Sequence, residues 1–206
     1  MPNTSQPVIK KALGENWEQL ATIVKRHYDI TPGEDASMTI KGVMEEVYHS
    51  NIAKLFLLPG RIFGALVPYR GNNIPTEVRN WTTRDNASDM FWHRTLDFDN
   101  KQVIFASRME HIEGNEIIEH VRYGMGIRMG MSVDRGALVF RSKGYVLNSG
   151  LVRLPIPAWL ILGDAEIIEQ ALSEDKFRID FNMLHPLFGR TFAYSGTFYI
   201  SESTTS

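Results

Sequence analysis

The stretch YGMGIRMGMSV, from Tyr123 to Val133, alternates small and large side chains and indicates the fold class. Successive side chains of a β-strand point to opposite faces, so its glycines fall on one face and its apolar side chains on the other. The apolar row comprises Tyr123, Met125, Ile127, Met129 and Met131. We predict a strand whose apolar row faces the interior, with glycines that let a long strand coil.

The methionines of this row fit two roles. Methionine is flexible and polarizable, so it suits irregular cores as well as pockets that accept varied apolar ligands. Met125 and Met129 therefore pack as plain core or form the wall of a ligand cavity, and the sequence leaves both alternatives open.

Composition bounds the class of protein. The 206 residues are enough for one domain with a real core, and 43% hydrophobic with 22% charged residues is usual for a globular protein. We predict a single domain over 11–200, with flexible ends at 1–10 and 201–206. A net charge of -2 without a basic stripe argues against nucleic acid as a partner. Zero cysteines and a polar start without a signal-like segment indicate a cytoplasmic location.

The first part of the chain has helical features. Apolar residues recur at helical spacing and predict one helix that ends near Thr31 to Gly33; they are Leu13, Trp17, Leu20, Val24 and Tyr28. A second apolar helix is predicted within 51–66, interrupted at Pro59 and Gly60. The surrounding stretch LFLLPGRIFGALVPY is too short to span a bilayer but long enough to lie on a membrane surface.

From about Ile74 onward, nearly every segment reads as a strand bounded by turn residues. The predicted strands are 38–48, 75–83, 89–98, 102–110, 116–133, 137–147, 165–172, 177–184 and 190–200. The strand over 116–133 is either continuous or bent or broken near its glycines. Short connections, such as DNK at 99–101 and EGN at 113–115, favour antiparallel hairpins. The fold class is α+β and mainly β: a long curved antiparallel sheet or partly closed β-barrel, with one or two N-terminal helices packed on a face or end.

Hairpin pairing extends the apolar face to neighbouring strands. With tips at DNK and EGN, Arg94 lies opposite Ala106 and Arg108 opposite Glu119. The face that carries the methionines then also holds Trp92, Arg94, Arg108, Glu119 and Tyr123. Buried charges need partners, and arginine suits a carboxylate or phosphate. These side chains form either a cavity in which Arg94 or Arg108 binds an acidic head group, or a structural ion pair at the sheet edge or in solvent.

Patterns typical of catalysis are missing from the sequence. The six histidines show no compact zinc spacing, and there is no GxSxG elbow, phosphate-binding GxxxxGK[ST] loop or cysteine nucleophile. We therefore expect no metal and no cofactor, and assign no catalytic residue.

Three stretches, in their order and spacing, resemble a known family. They are LVPYRGNNIPTEVRNWT, then FWHRTLDF with FASRM, then LPIPAWL with FRIDFNMLHPLFGRTFAYSGTF. They resemble a bacterial family called domain of unknown function 4166, and the resemblance runs from about Leu13 to Ile200. The positions that fit its recurring features are Trp92, Arg94, Phe105, Ser107, Glu119, Pro186, Leu187 and Gly189. Members occur alone or joined to oxidoreductase-like or membrane parts, so the resemblance implies an accessory or ligand-binding role.

Three functions remain as hypotheses. The first is a binding domain for a lipid-like or other amphipathic molecule, with Trp92, Met125 and Met129 as the wall and the helix at 51–66 as cover. The second is an interaction module that docks to an oxidoreductase or a membrane surface through LFLLPGRIFGALVPY. The third is an enzyme that uses Arg94, Glu119 or a histidine.

Overall fold

The computed structural model describes residues 6–54, 69–99, 101–148 and 152–205, and most of them lie in β-strands. The strands are β1 (Ala36–His49), β2 (Gly71–Thr83), β3 (Asn86–Phe98), β4 (Lys101–His111), β5 (Glu116–His120), β6 (Met125–Asp134), β7 (Ala137–Asn148), β8 (Arg153–Ile156), β9 (Asp164–Ala171), β10 (Lys176–His185) and β11 (Gly189–Thr205). Their placement confirms the predicted mainly-β class.

The sheet closes into an antiparallel barrel of ten strands. Neighbouring strands follow the order β6-β5-β4-β3-β2-β1-β11-β10-β9-β7, and an additional pairing of β6 with β7 completes the circle. The short β8 pairs with the last residues of β7, outside the circle. Closure therefore goes further than the predicted partly closed barrel and leaves none of these ten strands as a free edge.

Two short helices at the start of the chain cover one end of the barrel. They are α1 (Val8–Leu13) and α2 (Thr22–Tyr28), and a 3-10 turn at Gly14–Gln19 lies between them. The amide of Ala21 donates to the carbonyl of Gly136 in the β6–β7 turn at 3.0 Å, which ties the helices to that end. Of the two predicted positions for the N-terminal helices, a face or an end of the sheet, the structure shows the end.

The prediction of one continuous helix is wrong. Gly14 has a positive φ of 55°, and Leu20 and Ala21 are extended, so the helical hydrogen bonds are interrupted twice. The apolar stripe itself is buried as expected, with Trp17 and Val24 among its members. Breaking the helix lets this stripe follow the curved rim of the barrel.

Regular structure also reaches into the predicted flexible ends. The helix α1 begins at Val8, and both Val8 and Ile9 are buried, within the segment 1–10 that was predicted to be flexible. At the other end β11 runs to Thr205 and pairs there with Ala36, within the segment 201–206 that was predicted to be flexible. Apolar contact in the first case and strand pairing in the second hold these residues.

The stretch from Tyr123 to Val133 contains a chain reversal. A 3-10 turn at Arg122–Gly124 separates β5 from β6, and the two strands then pair antiparallel, with Ile117 opposite Met129. Tyr123 and Gly124 have positive φ values of 59° and 78°, which end the strand. The continuous strand over 116–133 is therefore wrong, and the alternative of a break near its glycines is correct. The alternation within β6 is also correct, because Met129 and Met131 are buried inside the barrel.

The predicted apolar helix at 51–66 falls mostly outside the described residues, which resume at Tyr69. Ser50 accepts a hydrogen bond from the amide of Ala53 at 3.1 Å, and Ala53 is buried against a small second core with Phe181 and Phe192. Within the described ranges, no helix is both long and apolar enough to cross a membrane.

Candidate ligand site inside the barrel

A cavity of about 40 Å³ lies inside the barrel. Its apolar wall includes Met44, Met109 and Met129. Its polar wall is formed by Tyr28, Trp92, Arg94, Glu119, Glu169 and Tyr194. The cavity exceeds the roughly 10–15 Å³ that one water molecule needs, but it is far below the roughly 300–1,000 Å³ of a drug-sized pocket.

Arg94, Ser107 and Glu119 form a hydrogen-bonded group across three adjacent strands, β3, β4 and β5. Arg94 Nη2 donates to Glu119 Oε1 at 2.9 Å, and Arg94 Nη1 donates to Ser107 Oγ at 2.9 Å. The Ser107 hydroxyl in turn donates to Glu119 Oε1 at 2.6 Å. Only 14% of the Arg94 side chain and 11% of the Glu119 side chain are exposed. The charges are therefore paired within a largely apolar interior, which is the condition under which burial is tolerated.

Aromatic rings hold the guanidinium group of Arg94 from two sides. Its central carbon lies 4.5 Å from the ring centroid of Trp92 and 4.9 Å from that of Phe105. Trp92 is itself buried, and its Nε1–H has no hydrogen-bond partner among the described residues. A buried donor left unsatisfied costs about 1–3 kcal/mol. The polar wall thus contains a neutral N–H that is available to an acceptor.

A second polar group joins the helix α2 to β9. The Tyr28 hydroxyl donates a short hydrogen bond to Glu169 Oε1, and His27 Nδ1 lies 3.2 Å from Glu169 Oε2. His27 Nε2 lies 3.1 Å from the side-chain nitrogen of Asn80, so the ring fits a tautomer that donates to Glu169 and accepts from Asn80. Burial raises the pKa of Tyr28 well above its ordinary value, and the nearby Glu169 carboxylate raises it further. Tyr28 therefore remains a neutral donor at physiological pH.

Tyr194 of β11 contributes a further hydroxyl to the cavity wall. Burial raises its pKa to about 12, although the charge of Arg94 acts in the opposite direction. Its ring stacks on Phe181 with centroids 4.8 Å apart, which fixes its position on the wall.

Four of the seven predicted site residues meet at this cavity. They are Trp92, Arg94, Glu119 and Met129. The predicted face of β3 is thus correct, and so is the inward direction of Glu119. Plain packing accounts for the methionines on most of the wall, because the space they leave is small.

Arg108 is not part of this wall, because the predicted register was off by one residue. Arg94 lies opposite Phe105, and Arg108 lies opposite His120. Lys101, which was assigned to the turn, already pairs with Phe98 in the β3–β4 ladder. A shift of one residue exchanges the two faces of a strand, so β4 directs Ser107 and Met109 inward and Arg108 outward.

On the outer face Arg108 belongs to a separate ionic group. Its Nη1 donates to Asp89 Oδ2 at 2.7 Å and lies 3.8 Å from Glu110 Oε2. Burial by itself would raise the pKa of Asp89, but hydrogen bonds from Asn86, Arg108 and Ser88 outweigh it and hold that pKa below its ordinary value. Arg108 thus stabilises the outside of the sheet and does not contact the cavity.

Tyr123 and Met125 are also displaced from the predicted wall. Tyr123 is 65% exposed at the turn between β5 and β6. Met125 is half-buried at the start of β6, opposite Leu147, and it does not line the cavity. The chain reversal at Arg122–Gly124 explains both positions, because it ends the strand just before them.

Sequence reasoning missed the roles of Tyr28, Glu169 and Tyr194. Tyr28 was assigned only to the apolar stripe of a helix. Glu169 had a detectable signal, because it occupies the inward row of β9 between Ile167 and Ala171. A charge within an apolar row of a strand is the pattern that singled out Arg94 and Glu119 as well.

Metal chemistry has no obvious site in the described part of the chain, where no three histidine, aspartate or glutamate residues cluster closely enough to hold an ion.

Comparison with known proteins gives a family but no function. The family model described as "Domain of unknown function (DUF4166)" matches residues 20–198. Neither the curated proteins nor the solved structures include a match to the chain.

Proposed function

The chain belongs to the family of domain of unknown function 4166, whose description assigns no activity, and we propose that its barrel binds a small amphipathic molecule in the interior. The observation that carries this proposal is the buried polar wall of Trp92, Arg94 and Glu119 inside an otherwise apolar barrel. A closed barrel of this kind is compatible with small-molecule binding.

The energetics of the polar wall support a binding role. Replacing a buried ion pair by well-packed apolar residues is often neutral or stabilising, so stability alone does not require Arg94 and Glu119. The Trp92 N–H has no partner among the described residues and costs free energy as it stands. An acceptor atom from a ligand would remove that cost.

The methionines explain how a small cavity accepts a larger molecule. Met44, Met109 and Met129 lie on the wall and are almost fully buried. Their side chains change rotamers with little strain, so the apolar body of a ligand enters as they move. The polar head then occupies the existing cavity beside Trp92.

The test is native mass spectrometry of the freshly purified protein, followed by organic extraction and identification of any bound molecule. The proposal expects one amphipathic molecule per chain, removed by extraction and rebound from a lipid extract. A bare mass that persists after exposure to the extract contradicts it.

A cavity-filling variant makes this test specific to the interior. Val78 is buried, lies opposite Arg94 in the ladder and lines the cavity. Val78→Phe should abolish binding, with a loss of stability of about 1–3 kcal/mol from overpacking. Ile104→Phe is the matched control, because Ile104 is 53% exposed on the outside of β4. Equal binding by both variants places the ligand elsewhere.

Docking to an oxidoreductase or a membrane surface is the alternative proposal. It depends on LFLLPGRIFGALVPY, of which residues 55–68 lie outside the described ranges. Co-sedimentation with vesicles of phosphatidylglycerol and phosphatidylcholine tests its membrane form. Phe56→Asp should reduce sedimentation and Ile104→Asp should not; equal sedimentation of the two variants contradicts docking through this segment.

A further inference from the structure

We infer that the head group bound by this barrel is an uncharged hydrogen-bond acceptor, such as the carbonyl oxygen of a ketone or ester, and not the carboxylate expected from the arginines. The inference rests on the proposed function and specifies its ligand class. It depends on two features of the cavity wall, the charge balance and the unsatisfied donor.

The positive charge of Arg94 is already compensated. Its guanidinium donates to Glu119 Oε1 and Ser107 Oγ, both at 2.9 Å, and the rings of Trp92 and Phe105 lie against it. These bonds use two of the five N–H groups of arginine, so an incoming carboxylate would have to share the single positive charge with Glu119. Two carboxylates beside one buried cation leave a negative charge uncompensated, which is strongly unfavourable.

The remaining charges on the wall also disfavour an anion. The charged residue types among the described lining residues are one arginine, Arg94, and two glutamates, Glu119 and Glu169. The wall therefore carries no excess of positive charge. Arg108, the second cation expected to neutralise an acidic head, lies on the outer face. A bound anion would add a further negative charge to those of Glu119 and Glu169 in a medium of low dielectric constant.

Two buried side-chain atoms lack a partner within the described residues, Asn80 Oδ1 and Trp92 Nε1, and only Trp92 belongs to the cavity wall, where it is a neutral donor. Trp92 is only 4% exposed, and its Nε1–H has no acceptor among the described residues. A carbonyl or ether oxygen satisfies this donor without introducing charge. An ammonium group does not, because it has no acceptor.

The cavity has the size of a head group. Its volume of about 40 Å³ admits a single oxygen-bearing group beside Trp92. The apolar body of the ligand must then lie against methionine side chains that change rotamer on binding, chiefly those of Met109 and Met129. This arrangement requires a ligand with one compact polar end and an apolar remainder.

Equilibrium dialysis against four probes with the same carbon chain tests the inference. The probes are decan-2-one, decanoate, decylamine and decane, all near neutral pH. Decan-2-one should bind at least about tenfold more tightly than each of the others. Tighter or equal binding of decanoate or decylamine overturns the inference while the proposed function stands. Binding of none of the four by the extracted protein overturns the proposed function as well.

Two variants identify the groups responsible. Trp92→Phe keeps an aromatic ring but removes the N–H, so the affinity for decan-2-one should fall about tenfold and that for decane should not. Trp81→Phe is the matched control, because Trp81 stacks on Phe91 on the outer face. An unchanged preference for decan-2-one in Trp92→Phe overturns the assignment of the donor.

Glu119→Gln tests the charge balance of the wall, because it removes one negative charge from the cavity. The substitution keeps the shape of the side chain but leaves Arg94 uncompensated, so the affinity for decanoate should rise about tenfold and the preference for decan-2-one over decanoate should shrink by the same factor. A folded Glu119→Gln protein that still rejects decanoate overturns the inference. If this variant does not fold, as judged by circular dichroism, the comparison of wild type with Trp92→Phe decides the question.

Discussion

Arg94 Nη2 donates to Glu119 Oε1 at 2.9 Å, and this bond spans β4 to connect β3 with β5 inside the barrel. Both side chains are largely withdrawn from water. Removing one partner of such a pair lowers stability strongly, because the other ion remains buried without a counterion. Replacing both partners by apolar residues is much less costly, because no desolvated ion remains.

Removing one partner of this pair should strongly destabilise the protein. Glu119→Ala leaves Arg94 buried without its counterion, and we expect the free energy of unfolding in urea to fall by about 3–5 kcal/mol. The double variant Arg94→Met with Glu119→Leu should recover most of that loss. Arg79→Ala is the matched control: Arg79 lies exposed on the outer face of β2, and its effect should stay within about 0.5 kcal/mol. A loss for Glu119→Ala as small as that of the control contradicts this view of the pair.

Tyr28 should anchor the helix α2 to the barrel through Glu169. Tyr28→Phe removes the hydroxyl that donates to Glu169 Oε1 and leaves a buried carboxylate with one donor fewer. We expect a loss of about 1–3 kcal/mol in the free energy of unfolding. Hydrogen exchange should show faster exchange of the α2 amides than in wild type. Exchange that accelerates equally in α2 and in the central strands would indicate a general loss of stability instead.

Alkaline pH should destabilise the fold through its buried tyrosines. The pKa of Tyr194 is raised from its ordinary value of 10.0 to about 12 in the folded protein. A raised pKa of an acid means that the stabilising contribution is complete below about pH 10 and is lost as the pH rises toward the folded value. Tyr194→Phe should therefore reduce the slope of stability against pH in this range.

Tyr199 provides the control for this alkaline effect on the same strand. Tyr199 of β11 is 45% exposed, in contrast to the cavity position of Tyr194. Tyr199→Phe removes a hydroxyl from an exposed ring of the same strand, so the slope of Tyr194→Phe between about pH 10 and pH 12 is compared with the slope of this variant as well as with that of wild type. Equal slopes for wild type and Tyr194→Phe would show that Tyr194 titrates normally.

Glycine is required at the turn between β5 and β6. Gly124 has a φ of 78°, and a Cβ atom there would overlap the carbonyl oxygen of Asn148. We expect Gly124→Ala to cost about 3 kcal/mol or more from strain and overlap combined. Gly114 has a φ of 50° with open space around its Cβ position, so Gly114→Ala should cost only about 1–2 kcal/mol. Similar melting temperatures for the two variants would contradict the close approach at Gly124.

Replacing Arg108 should change how the free energy of unfolding depends on acidic pH, and it should leave ligand binding unchanged. Its bond to Asp89 helps to hold the pKa of that carboxyl below its ordinary value of 3.8. A lowered pKa of an acid gives stability that is present above the ordinary value and is lost as the pH falls through the folded value. Arg108→Gln should thus be less stable than wild type at neutral pH, and the difference should shrink below about pH 4. Altered affinity for decan-2-one in this variant would place Arg108 at the site after all.

The strands were predictable because alternation and short turns are local signals. The hairpin β3–β4 and the inward direction of Trp92 and Arg94 follow from such signals alone. The exact register does not, because a pairing that begins at Lys101 instead of Gln102 changes no local propensity. That one-residue difference was enough to misplace Arg108.

The rest of the site depends on contacts between distant parts of the chain. Tyr28 and Glu169 are 141 residues apart, and they meet only because α2 covers the end of the closed barrel. The reversal after His120 depends on positive φ values at Tyr123 and Gly124, and tyrosine is not a residue that signals such a conformation. The pairing of β1 with β11, which joins the two ends of the chain within the closed barrel, was likewise open in the sequence.

The most direct test of the account is the indole N–H resonance of Trp92 in a ¹H–¹⁵N spectrum during titration with decan-2-one. The protein has four tryptophans, and the missing signal of Trp92→Phe assigns this one. We expect the Trp92 resonance to move downfield and saturate as its N–H gains an acceptor, while that of Trp81 on the outer face stays in place. A Trp92 resonance that does not move at a saturating concentration of bound ketone would contradict the central claim.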